Sequence, residues 1–130
     1  MTTSVYARQF PLLALADLGS ANAGTGLGLT IALPVNAFLL DVSAHVVTAF
    51  NGTTNTVTAS DGTITFISAE DAKQVAGTDV TVDNSGKGTF YPSGGTITFS
   101  VAQTGDNTTA GRIIGQVQYV IVGRQNENQF

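Results

Sequence analysis

The stretch Leu33–Gly52, LPVNAFLLDVSAHVVTAFNG, constrains the fold more than any other part of the chain. It opens on Pro34, which favours an extended approach and is poorly placed inside a central ladder. It ends at Asn51-Gly52, a strong turn signal. Between these points apolar and β-branched residues divide with period two, the period of a strand. Phe38, Leu40, Val42, Ala44 and Val46 fall on one wholly apolar face. Leu39, Asp41, Ser43, His45 and Val47 fall on the other, which is mixed. The pattern predicts a long strand with its apolar face on a core and its mixed face partly wetted or turned to a partner.

Shorter strands are expected around it. Downstream, NTVTAS and TITFIS are joined at Asp61-Gly62, a hairpin signal, and Asn51–Asn55 reads as a hairpin loop. Ser68-Ala-Glu-Asp71 has the form of a capping box, with Lys73 in a later turn and Gly77 as the stop. It predicts one short helix, Ala69–Val75. TDVTVD and GTFYP read as further strands. GTITFSVAQ alternates, with Ile97, Phe99 and Val101 inward. The last strand, Arg112–Arg124, places Ile113, Val117, Tyr119 and Ile121 on one face, with Gly115 and Gly123 marking a bulge or bend. About eight strands without a βαβ rhythm or a repeat predict an all-β, antiparallel sandwich or barrel. Residues 1–28 have apolar content without a clear period. They are expected to be an N-terminal extended arm on a domain of residues 29–130, docking on its own sandwich or on a neighbour, with an ordinary edge strand as the other reading.

The chain has 130 residues, the length of one domain. Only 11% are charged, against about 25% in typical soluble domains, so sheet edges have little electrostatic protection. Arg8, Lys73, Lys87, Arg112 and Arg124 are the five basic residues, and they are scattered. Without a basic stripe, nucleic-acid binding is not expected. No apolar run is long enough for a transmembrane helix, so no membrane partner is expected. Phe10–Ala16 is short and followed by Asp17, which argues against a cleaved signal peptide.

Chemistry is sparse. Asp41, Ser43 and His45 are the residue types of a hydrolase triad, but residues two apart on a strand lie roughly 6.5–7 Å apart, beyond hydrogen-bond reach. Gly24–Gly28 resembles a phosphate loop only in composition, because an extended segment rather than a helix follows it. His45 is the single histidine and cysteine is absent, which leaves carboxylates alone as zinc co-ligands, an uncommon set. Asp83–Gly88 lacks the ligand series of a calcium loop. The expectation is a chain that is not an enzyme and has no cofactor and no metal site.

Four blocks carry a resemblance. LPVNAFLLDVSAHVVTAFNGTTNTVT, then FISAEDAKQVAG, then GTFYPSGGTITFSVAQTG, then GRIIGQVQYVIVGR are similar, in this order, to the capsid cement, or decoration, proteins of tailed phages. The similarity covers roughly Leu29–Arg124, and residues 1–28 fall outside it. The resemblance implies an eight-stranded jelly-roll sandwich on the exterior of a virion. Such a protein is made in the host bacterial cytoplasm, bridges major capsid protein subunits and stabilises the head, with no catalytic residues to carry over. The alternative from another class is a carbohydrate- or receptor-binding jelly-roll module of a phage tail or bacterial surface; the lack of Trp weighs against it. Surplus apolar residues on outward faces predict a homo-oligomer, a two-fold dimer in preference to a trimer. The candidate interface residues, for self or for the capsid protein, are Val5, Tyr6, Phe10, Leu12, Leu13, Leu15, Leu39, Val47, Ile114, Val120 and Val122.

Overall fold

A computed structural model of the chain describes residues 10–19, 27–105 and 108–123. Among these, eight strands follow in order: β1 (Leu12–Gly19), β2 (Leu27–Leu33), β3 (Ala37–Thr48), β4 (Thr54–Ser60), β5 (Thr65–Asp71), β6 (Phe90–Tyr91), β7 (Gly95–Thr104) and β8 (Arg112–Ile121). They form two four-stranded antiparallel sheets with orders β1-β8-β3-β6 and β2-β7-β4-β5. The pairings are nested. β4 pairs with β5, β3 with β6, β2 with β7 and β1 with β8. Only the β4–β5 connection stays within one sheet. Asn51–Asn55 is therefore not a hairpin loop but a crossing between sheets.

The core is the space between the sheets, filled from both inner faces. Val42, Val46, Ile113 and Val117 project into it from one sheet. Val57, Phe66, Ile97, Phe99 and Val101 meet them from the other. Across the first sheet the inner rows run Ala14–Val117–Val42, Ala16–Gly115–Ala44 and Leu18–Ile113–Val46. Ala16 and Leu18 are buried, so Leu12–Gly19, expected within an extended arm, forms an edge strand of the sandwich. Residues 1–9 and 20–26 lie outside the described residues.

Two expectations about side-chain direction are corrected. The ladder between β3 and β8 slips between Leu39 and Asp41, because Leu39 faces Tyr119 and Asp41 faces Gln118. Leu40 is the extra residue of a β-bulge, which inverts the alternation. Ala37 and Leu39 therefore share the buried face with Val42, Ala44 and Val46, whereas Phe38 and Leu40 are only half-buried. Leu39 is 0% exposed and belongs to the core rather than to an interface.

The short helix at Ala69–Val75 is absent; Ser68–Asp71 continue β5. Val57 pairs with Glu70 and Thr56 with Asp71. The Ser68 amide, which the Asp71 side chain would have capped, donates instead to Asp83 Oδ2, and Ala69 N donates to the Thr58 hydroxyl on β4. Ala69 also sits at φ 48°, outside the right-handed helical region. What survives of the capping signal is a local turn in which Asp71 Oδ1 accepts from Lys73 N at 2.8 Å.

The sandwich has two unlike sides. Along the free edge of β3, the segment from Gly77 to Tyr91 donates and accepts backbone bonds: Val46 N to Thr78 O, Val80 N to Ala44 O, Gly88 N to Leu39 O and Leu39 N to Thr89 O. Asp83 N and Asn84 N also reach Phe66 O on β5 of the other sheet. One segment therefore stitches both sheets on that side. On the opposite side β1 ends its sheet, and among the described residues no strand pairs its outer edge.

Candidate interaction surface

The outer face of the β1-β8-β3 sheet is built from three rows, set by the register: Leu13–Gln118–Asp41, Leu15–Gln116–Ser43 and Asp17–Ile114–His45. Its apolar character is concentrated at β1. Leu13 is 54% exposed, Leu15 57% and the preceding Phe10 70%. Leu12, on the inner side, is exposed at the sheet's end. Toward β3 the face becomes polar through Gln116, Gln118 and Asp41.

Two side-chain contacts between residues distant in the chain frame the face. Arg112 donates from Nε to Asp17 Oδ1 at 2.9 Å and from Nη2 to Asp17 Oδ2 at 2.6 Å, a fork across β8 and β1. The bond from Arg112 holds the Asp17 carboxyl below its usual range, and the same bond raises the guanidinium. Both side chains are solvated, so the pair contributes little stability. Its effect is to neutralise the one charge on β1. At the other margin His45 Nδ1 lies 2.5 Å from Asp79 Oδ1, on the segment that stitches β3. Ser43 Oγ is buried without a hydrogen-bond partner among the described residues, so Asp41, Ser43 and His45 do not form a linked triad.

The candidate interface residues separate into groups. Phe10, Leu12, Leu13 and Leu15 lie together on one strand or just before it. Ile114 lies half-buried one row from Leu15. Val120 and Val122 are half-buried at the opposite end of β8, where Val122 N bonds Asn36 O. Val47 is exposed near the far end of β3. Leu39 is inside, and Val5 and Tyr6 lie outside the described residues. The Asp17–Arg112 and His45–Asp79 contacts were not legible in the sequence, since each joins residues far apart in the chain.

A chain of the cyanophage Pam1 capsid asymmetric unit is similar to this one in structure. The TM-score is 0.60 at 20% identity, over 93% of this chain and 91% of that one. The likeness is one of fold. No family profile matches the sequence, and neither does any curated protein.

Away from this face, a polar cleft of about 370 Å³ is lined by Thr53, Thr54, Asn55, Thr56, Ala69, Asp71 and Lys73. Several of its polar groups are engaged within the protein: Lys73 Nζ donates to Thr53 O, Asp71 Oδ1 accepts from Lys73 N, and Asn55 is buried between Gly52 N and the Thr108 hydroxyl. No aromatic ring lines it, so it offers no stacking platform for a sugar. Among the described residues no group of three or more His, Cys, Asp or Glu is placed to hold a metal ion.

Proposed function

We propose that this chain is a structural protein of a tailed-phage virion. On this reading it decorates the exterior of the head, bridges neighbouring major capsid protein subunits and stabilises the shell, with no catalytic step of its own. The observation that carries the reading is the fold shared with a chain of the cyanophage capsid asymmetric unit over nearly the whole length of both. The order of the four sequence blocks supports it independently.

The finer fold assignment is a jelly roll. Four nested antiparallel pairs, with every connection except β4–β5 crossing between the sheets, support this reading. A rigid sandwich with one stitched side and one apolar, charge-neutral side suits a shell component that must grip neighbours and otherwise present a neutral surface. The test is reconstitution. Heads assembled without this protein are mixed with the purified chain, and binding is measured by cosedimentation together with the temperature at which DNA is released. Saturable binding and a raised release temperature are expected. Heads that neither bind the chain nor gain stability would overturn the proposal.

A further inference from the structure

We propose that the outer edge of β1 is a seam between two copies of this chain, with the two β1 strands paired antiparallel about a two-fold axis at Ala14. Three observations converge on this edge. It is unpaired among the described residues, whereas the opposite side of the sandwich is stitched by residues 77–91. It carries Phe10, Leu13 and Leu15, three strongly exposed apolar residues. Within Leu12–Gly19 there is no lysine, no proline and no bulge to keep another strand away, and its one charge, Asp17, is held by Arg112 on the neighbouring strand.

The occupant follows from the sequence of the edge itself. Around Ala14 the strand is self-complementary on its outer face, because Leu13 and Leu15 flank the centre symmetrically. In an antiparallel pair centred there, Leu13 of one copy lies opposite Leu15 of the other, and the reverse pair repeats it. Four leucines close over one another, and cross-strand apolar pairs of this kind are what stabilise a sheet. Asp17 falls opposite Pro11, so the two Asp17 carboxylates are kept far apart. Pro11 has no N–H to donate and ends the ladder without an orphaned donor. A centre at Leu15 would instead set Leu13 against Asp17. The resulting dimer joins the two β1-β8-β3-β6 sheets into one, an isologous contact in which one patch serves both partners.

This seam rests on the virion reading for its use, but the two fail separately. The chain has no cysteine, so an introduced one reports a single position. In the register centred on Ala14 that residue faces its own copy. Paired strands place such Cα atoms about 4.5–5.5 Å apart, within the span a disulfide bridges. Mild oxidation of Ala14→Cys is expected to give a covalent dimer, and Leu15→Cys to give far less. The double variant Leu13→Lys/Leu15→Lys, at two exposed positions, should weaken dimerisation at least tenfold by sedimentation equilibrium while its circular dichroism spectrum is unchanged. A wild-type chain that sediments as a monomer at tens of micromolar would overturn the seam. So would a lysine variant that dimerises undiminished, or preferential coupling of Leu15→Cys. A dimer that never binds heads leaves the seam standing and overturns the virion reading; a monomer that binds heads does the reverse.

Discussion

Gly115 sits at the middle of β8 with Ala16 on one side and Ala44 on the other. These three small residues make a depression in the inner face of one sheet, and the Phe99 ring from the other sheet fills it. A Cβ added at Gly115 would lie 2.5 Å from that ring. Gly115→Ala is therefore expected to cost about 1–3 kcal/mol, the range for overpacking a tight core, measured as a lowered urea midpoint with unchanged slope. Combining it with Phe99→Leu should cost less than the sum of the two, since the substitutions share one space. The sequence offered Gly115 as a bulge or bend, yet the ladder runs through it without a shift. Its reason lies in Phe99, and period-two reading says nothing about what packs across the sandwich. Leu39 shows the complementary failure. A single extra residue at Leu40 moved it from the mixed face to the core, and bulges leave no mark in an apolar run. Leu39→Ala should cost about 2–5 kcal/mol, as for a buried leucine, whereas Leu13→Ala should leave monomer stability nearly unchanged.

Elements were legible where alternation was strict and flanked by turn residues, as in β7 and in the β4–β5 hairpin at Asp61-Gly62. The capping-box signal at Ser68–Asp71 was a real local preference, but the cross-strand bonds of β5 outweighed it, as tertiary context does for a helix too short to persist alone. The hairpin turn also carries the clearest pH dependence. Burial raises the Asp61 carboxyl, but the Ile64 and Thr63 amides and the Tyr91 hydroxyl all donate to it, and together they leave it below its ordinary value. Burial first, and then the carboxylate, push the Tyr91 phenol upward, so it stays a donor. Tyr91 belongs to β6 in the other sheet, so this bond ties the hairpin to its opposite layer. A carboxyl depressed in the folded state stabilises fully above its unfolded pKa, about 3.9, and that contribution is lost as pH falls through the lower folded value. Urea midpoints measured from neutral pH down to about pH 2 should fall in this window. Asp61→Asn should flatten part of that fall and lower the midpoint at pH 7.

At the scale of the whole molecule, the faces of strands could be read from the sequence and their partners could not. Alternation says which side chains point inward. It does not say that Leu12 lies opposite Tyr119, or that β3 and β4 part into different sheets. The nested order that settles this also suggests how the chain folds. β4–β5 is local, β3–β6 encloses it, β2–β7 encloses both, and β1–β8 spans nearly the entire chain. Closing the outermost pair first would cost the most loop entropy. Once β4–β5 and β3–β6 have formed, the pairs β2–β7 and β1–β8 close only short connections. Folding is therefore expected to proceed outward from β4–β5, and slowly, as for topologies dominated by non-local pairing. Destabilising changes then divide by position between folding and unfolding rates. Val57→Ala, in the buried centre of β4, should mainly slow folding. Leu18→Ala, in buried β1, should leave the folding rate nearly unchanged and speed unfolding, because β1 docks after the barrier. Chevron plots of the two variants separate these outcomes. A Leu18→Ala chain that folds as slowly as Val57→Ala would place β1 in the nucleus and overturn the outward order.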